Sequence, residues 1–127
     1  MILLDTSVIV WALDGSSRLG RRARKLMGSG LPVHVSAVSL SELVIKAMLG
    51  KIELPANLIA SVQSEGYTEL PLTGADTTAL MELPDLIRHD PFDRLLVAQA
   101  QRNGMTFLTA DRALLGLGRD FIVDATV

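Results

Sequence analysis

The chain opens Met1-Ile2-Leu3-Leu4-Asp5-Thr6-Ser7-Val8-Ile9-Val10, an apolar run interrupted by one carboxylate and two hydroxyls. Ile2 to Leu4 reads as a buried strand ending in Asp5, and Ser7 to Leu13 as an apolar helix broken by Asp14-Gly15-Ser16-Ser17. A carboxylate in so apolar a setting is strongly disfavoured unless something pairs with it. Asp5 must therefore cap a helix or hold a cation, and the rest of the chain decides which.

Strands and helices alternate beyond it. Arg18 to Met27 has a helical apolar face with Arg21, Arg22, Arg24 and Lys25 between, stopped by Gly28. Leu31 to Val35 reads as a second strand, and Ser39-Leu40-Ser41-Glu42 as a capping box opening a helix that stops at Gly50. Pro55 to Ser64 is a further helix, and Tyr67 to Leu72 an edge strand, because Pro71 cannot donate to a central ladder. Thr73 to Asp76 starts a helix that ends at Leu83-Pro84-Asp85. Asp90 caps the strongest helix, with Pro91 at its first position and Gly104 as its stop. Met105 to Leu108, a short helix from Ala110 to Leu115, and Phe121 to Val123 complete the pattern. Such alternation predicts a mainly parallel sheet of about five strands, covered on both faces by right-handed crossovers.

A length of 127 residues fits one domain spanning residues 1–127. The absence of cysteine excludes disulfides, zinc-thiolate sites and thiol catalysis. Asp5 interrupts the only run that could imitate a signal peptide, and no stretch is apolar for long enough to span a membrane, so a cytoplasmic protein is expected. An apolar share of 49% suits a sheet buried on both faces and leaves room for an apolar docking surface. The formal charge of -2 gives no global attraction to nucleic acid, so such a role would need a local basic patch or a bound cation.

In parallel sheets ligands bind at the carboxyl ends of strands, where the strand order reverses. That rule selects Asp5 after the first strand, Glu42 after the second and Asp111 after the fourth, while Asp93 opens the helix before the fourth. Singly, each has a plainer reading: Glu42 as a capping-box partner, Asp93 and Asp111 as first-turn acids favoured by the helix dipole. Together they conflict. Two carboxylates about 4 Å apart repel by roughly 4 kcal/mol at an effective dielectric of 20, unless protons or a cation neutralise them. An all-oxygen set without cysteine matches magnesium or manganese, and the chemistry that follows is metal-assisted hydrolysis of a phosphodiester.

Leu3-Leu4-Asp5-Thr6-Ser7, Ser39 to Glu42, Asp90-Pro91-Phe92-Asp93-Arg94-Leu95-Leu96-Val97-Ala98-Gln99-Ala100 and Leu108-Thr109-Ala110-Asp111-Arg112 together resemble the PIN-domain ribonucleases, and among them the VapC toxins of bacterial toxin–antitoxin pairs. The resemblance spans nearly the whole chain in the family's order. It implies an α/β/α sandwich and an endoribonuclease that uses Mg2+ or Mn2+. It also implies a homodimer held inactive by a small VapB-type antitoxin, with DNA reached only through that antitoxin. By motif position Asp5, Glu42, Asp93 and Asp111 look like the acidic, metal-holding set. Thr6 and Thr109 look like hydroxyls that orient it, with Thr6 assigned to Asp5.

Other residues divide between functional and plain readings. Asp90 reads first as an N-cap and second as a ligand. Arg94 and Arg112 are candidate contacts to RNA phosphate, as are Arg21, Arg22 and Lys25, whose alternative is a solvated helix face. Trp11 and Tyr67 could stack on bases, though core packing suits Trp11 better. His34 reads as a satisfied buried histidine, and His89 is open. The apolar face of Leu58, Ile59 and Val62, with nearby Ile45 and Leu49, could be core, dimer surface or antitoxin groove. A receiver-type phosphoacceptor module is disfavoured because Thr6 and Ser7 follow Asp5 and no lysine occurs after Lys51. A haloacid-dehalogenase-type phosphatase would need an Asp where Ser7 stands, leaving a noncatalytic PIN-like binding domain as the alternative.

Overall fold

Alternation along the first strand divides the core in two. In the computed structural model, which describes residues 1–127, β1 (Ile2–Leu4) sends Ile2 and Leu4 to one side and Leu3 to the other. Around it lie β2 (Val33–Ser36), β3 (Thr68–Leu70), β4 (Thr106–Thr109) and β5 (Ile122–Asp124) in the order β3-β2-β1-β4-β5. Every neighbouring pair is parallel, with Leu3 opposite His34 on one side and Phe107 on the other. The α/β fold class is as expected, with five strands that are all parallel. β3 is an edge strand, and Pro71 follows it without interrupting a ladder.

The helices cover both faces. α1 (Thr6–Asp14), α2 (Arg21–Met27), α3 (Ala37–Met48) and α4 (Leu58–Ser64) give Val8, Ile9, Ala23, Leu40, Leu43 and Val62 to the core that holds Ile2 and Leu4. α6 (Pro91–Arg102) gives Leu96, Val97, Ala98 and Ala100 to the core that holds Leu3 and Phe107, joined by Leu114 of α7 (Arg112–Leu115). The short α5 (Gly74–Thr78) and two single-turn 3-10 segments, Ala79–Glu82 and Pro84–Leu86, close that face through Leu83 and Leu86. Each valine, leucine or isoleucine among them, fully buried, contributes roughly 1.5–3 kcal/mol. No helix is long and apolar enough to cross a membrane.

Several boundaries differ from expectation: α4 starts at Leu58 and not Pro55, because Asn57 accepts the Ala60 amide at 3.1 Å, and the helix from Thr73 gives way to 3-10 turns after Thr78. Ser39 and Glu42 do not form a capping box: α3 starts at Ala37, because Ser36, the last residue of β2, accepts the Val38 amide at 3.0 Å. Ser39 and Glu42 lie inside the helix, both buried. α2 starts at Arg21 and not Arg18, because the carbonyl of Val127 accepts the amides of Arg22 and Ala23 at 3.0 and 3.2 Å. That closure requires Gly20, where a Cβ would collide with the backbone of Thr126 and Val127.

The expected capping box at Thr73 is present, with Asp76 as its acid, and Asp76 goes on to join a buried polar network. Gln99 of α6, fully buried, accepts from the Ser36 hydroxyl and donates to the Pro71 carbonyl at 3.2 Å and to Asp76 at 3.1 Å. Arg102 completes the Asp76 carboxylate at 3.0 Å. The network ties the ends of β2 and β3 to α5 and α6. Gln99→Leu removes one hydrogen-bond partner each from the Ser36 hydroxyl, the Pro71 carbonyl and Asp76, and is expected to destabilise the protein by about 1–3 kcal/mol in urea unfolding. A loss under about 0.5 kcal/mol, the scale of a surface substitution, would show that the network is dispensable.

Candidate active site

The sheet order reverses at β1, whose neighbour β4 brings its own carboxyl end alongside. Asp5 sits there, 6% exposed, as N-cap of α1. One carboxylate oxygen accepts the Thr6 amide at 2.7 Å and the other the Thr109 hydroxyl at 2.6 Å. Burial raises its pKa above the ordinary carboxylate value; those two hydrogen bonds pull it down, and the charges of Glu42 and Asp111 add to the rise.

Glu42 approaches from α3. Its Oε1 accepts the Thr6 hydroxyl at 2.7 Å, and its Oε2 lies 2.6 Å from Nζ of Lys46 one turn on. The hydroxyls are therefore crossed relative to the sequence assignment. Thr6 follows Asp5 but gives Asp5 only its amide, while its side chain serves Glu42 and lies 3.1 Å from the Ser39 hydroxyl. Thr109 serves Asp5, and its oxygen also accepts the Asp111 amide at 3.0 Å, so one hydroxyl links two of the acids.

Asp111 is the N-cap of α7, accepting the amides of Ala113 and Leu114 at 2.8 and 3.2 Å. Asp90 is the N-cap of α6, accepting from Phe92 at 2.8 Å and Asp93 at 3.3 Å. Asp93 differs from both. Its carboxylate receives no hydrogen bond, and its pKa is pushed up to about 7, first by burial and then by Asp5, Asp90, Asp111 and Glu42.

Asp5, Glu42, Asp93 and Asp111 all line one cleft of about 560 Å³, together with Asp90, Thr6 and Lys46. Val10, Trp11, Leu43 and Ile52 form its apolar wall. Capping and cleft-lining are thus compatible for Asp90. Trp11 also packs against the first core, as does Tyr67.

Arg94 and Arg112 do not line this cleft. Arg112 is held by Asp124 at 2.9 and 3.2 Å and by Thr126 at 3.0 Å, and Arg94 has a buried Nε without a partner. Arg21, Arg22 and Lys25 are exposed on α2, and Arg22 and Lys25 border a separate hollow beside Val123 and Val127. His34 is only half-buried, and its Nδ1 is buried without a partner, contrary to the satisfied histidine expected. Lys46 escaped the sequence reading. Its signal was the Glu-to-Lys spacing of four along one helix.

No three of the carboxylates converge into a ready ion cage, since Glu42 is paired with Lys46 and two aspartates are turned toward helix amides. The donor set still fits an oxygen-preferring divalent cation. It is all carboxylate and hydroxyl, one cation faces five acids, and Asp93 is left with like charges and no donor.

The PIN domain family model matches residues 2–119. Ribonuclease VapC22 of Mycobacterium tuberculosis (strain ATCC 25618 / H37Rv) is 29% identical over 115 residues, covering 89% of this chain and 88% of that protein. Among solved structures, a toxin–antitoxin complex from Klebsiella pneumoniae superposes with a TM-score of 0.66 at 14% identity, over 97% of this chain and 96% of that one. DNA-bound VapBC from Salmonella typhimurium gives 0.65 at 20% identity, over 97% and 95%. At such identities the structural likeness concerns the fold.

An acid whose folded pKa lies above its unfolded value keeps its proton in the folded state between the two, so its contribution to stability is lost as pH rises through that window. For Asp93 the window runs from 3.8 to about 7. In EDTA, the melting temperature should therefore fall as pH rises from about 5 to about 8, and Asp93→Asn should lessen that slope and melt higher than the parent at the alkaline end. An identical slope in the variant would contradict the assignment.

Proposed function

From the premise that the chain belongs to the PIN-domain family, we propose that it is a Mg2+- or Mn2+-dependent endoribonuclease and the toxin of a toxin–antitoxin pair. The observation that carries this reading is the set of Asp5, Glu42, Asp93 and Asp111 on one cleft, with the Asp93 carboxylate unpaired among like charges. A small inventory of cations inside an acidic cleft is what a hydrolase needs if the missing charge arrives as an ion.

Asp5, Asp93 and Asp111 would hold the ion, with Glu42 beside them. When bound, it would acidify a water and neutralise charge developing on the phosphate. The chain's own contribution is positional. Thr109 and the Thr6 amide fix both oxygens of Asp5, so that acid cannot rotate away from the cleft. Thr6 holds Glu42 in the same way. Asp93, which keeps a proton up to about pH 7 without an ion, would release it on ion binding.

Relatives carry the biological setting: the M. tuberculosis protein is named a ribonuclease, and the S. typhimurium structure is a VapBC complex on DNA. In keeping with that setting, our reading takes RNA as the substrate, a VapB-type antitoxin as the inhibitor, DNA contact through the antitoxin alone, and a cytoplasmic homodimer as the working form. Val44, Ile45, Met48 and Leu49 leave an apolar flank of α3 exposed, which supports a docked partner.

Purified protein should cleave RNA with Mg2+ or Mn2+, and EDTA should stop it. Asp5→Asn and Asp93→Asn should each lower the rate by at least about 100-fold, the scale of losing a principal electrostatic contributor. Cleavage that survives EDTA, or full activity in both variants, would leave a noncatalytic PIN-like binding domain as the better reading. Induction in a bacterium should arrest growth, and co-expression of the antitoxin should relieve it.

Mg2+ should also raise the melting temperature of the parent near pH 8, by the linkage of an ion that binds only the folded state, and raise that of Asp93→Asn much less. Equal stabilisation of both proteins would remove Asp93 from the ion site.

A further inference from the structure

An RNA strand brings one negative charge per nucleotide to a cleft whose walls carry Asp5, Glu42, Asp90, Asp93 and Asp111. A bound ion would offset part of that charge, and a basic side chain of the protein's own would add affinity for backbone phosphate. Neither arginine beside a site acid supplies it. Arg112 is engaged by Asp124 and Thr126, and Arg94 lies outside the cleft. Lys46 is the single basic side chain on its lining.

We propose that Lys46 is the phosphate-contacting residue of the cleft and that Glu42 acts mainly by aiming it. The proposal rests on the endoribonuclease reading and deepens it by naming a substrate contact. An ammonium has three donors, and the only partner of Lys46 is Glu42 Oε2 at 2.6 Å. The side chain is 44% exposed, so the remaining donors are open to a ligand.

Glu42 is suited to hold it. Its Oε1 is taken by the Thr6 hydroxyl and its Oε2 by Lys46, so both oxygens are engaged and, unlike Asp5, it is paired with a cation. Thr6 in turn is anchored at the start of α1, beside Asp5. The chain of contacts from Asp5 through Thr6 and Glu42 to Lys46 sets the ammonium at a fixed place relative to the acids. A phosphate oxygen received there would lie next to the ion-holding aspartates, where hydrolysis requires it.

The test uses the full-length protein, with polyuridylate as probe and Ca2+ in place of Mg2+ to suppress cleavage. Trp11 is the only tryptophan and lines the cleft, so its fluorescence reports strand entry. Lys46→Gln should weaken polyuridylate binding about 5- to 10-fold at low salt and reduce the slope of log affinity against log salt by about 0.7, the share of one phosphate contact on a single strand. Lys46→Arg should keep both. Mn2+ affinity without RNA, read by electron paramagnetic resonance, should change less than about threefold in Lys46→Gln, since one charge is removed from a site shared with solvent.

An unchanged salt slope in Lys46→Gln, with or without tighter Mn2+ binding, would overturn the proposal and leave Lys46 as a counterion of Glu42, while the nuclease reading stands. A parent that neither binds polyuridylate nor cleaves RNA would overturn both.

Discussion

The mutual repulsion of carboxylates gathered where β1 ends beside β4 is the constraint on which the rest of this structure turns. Asp5 is buried to 6% exposure and faces the charges of Glu42 and Asp111. Nothing in the apolar core favours that arrangement. It persists because the sheet over-determines it: Ile2, Leu3 and Leu4 are fully buried and lock β1 between β2 and β4. The packing of two cores thus supplies the free energy that holds the acids together. Local hydrogen bonds from Thr6 and Thr109 then decide where each carboxylate points.

The architecture was largely legible because its signals are redundant. Period-two alternation cannot be seen in strands of three or four residues buried on both faces, but their order among helices identifies a parallel sheet. The strongest helix was marked three times over, by Asp90, Pro91 and the stop at Gly104. Where a single signal had to carry a boundary, it held at Thr73 and failed at Ser39. Ser39 and Glu42 have the spacing of a capping box, yet Ser36 captured the cap, because β2 passes directly into α3 and its last hydroxyl meets the first free amides. The start of α2 depends on Val127, a hundred residues away, and no local pattern contains that contact.

The site was legible as a set of acids and less so as a mechanism. Strand ends in a parallel sheet converge by topology, so Asp5, Glu42 and Asp111 could be placed on one rim from sequence order. Asp93, at a helix start, was picked by its position in the Asp-Pro-Phe-Asp motif. Their partners could not be placed in either way. Which hydroxyl reaches which acid depends on the side-chain directions of α1 and β4, and Thr6 proved to serve Glu42 where adjacency had pointed to Asp5. Arg94 and Arg112 sit beside site acids in sequence, but one residue along a helix is a turn of about 100°. That places Arg94 away from the cleft, whereas Lys46, one full turn from Glu42, shares its face.

Asp5 and Asp76 show what separates a functional buried acid from a structural one. Both are nearly inaccessible, at 6% and 1% exposure, and burial pushes the pKa of each upward. For Asp76 the push is reversed, to below the ordinary value, by Gln99, by the amide and hydroxyl of Thr73 and by the charge of Arg102. Its charge is satisfied from within the chain, and it braces α5 against α6. For Asp5 one hydroxyl and one amide do not suffice against burial, to which two like charges add, and the value stays raised. The same residue type at the same depth is thus settled in one place and left wanting a cation in the other. The sign of that imbalance, burial left uncompensated by donors, distinguishes the acid on the cleft from the one that braces the fold.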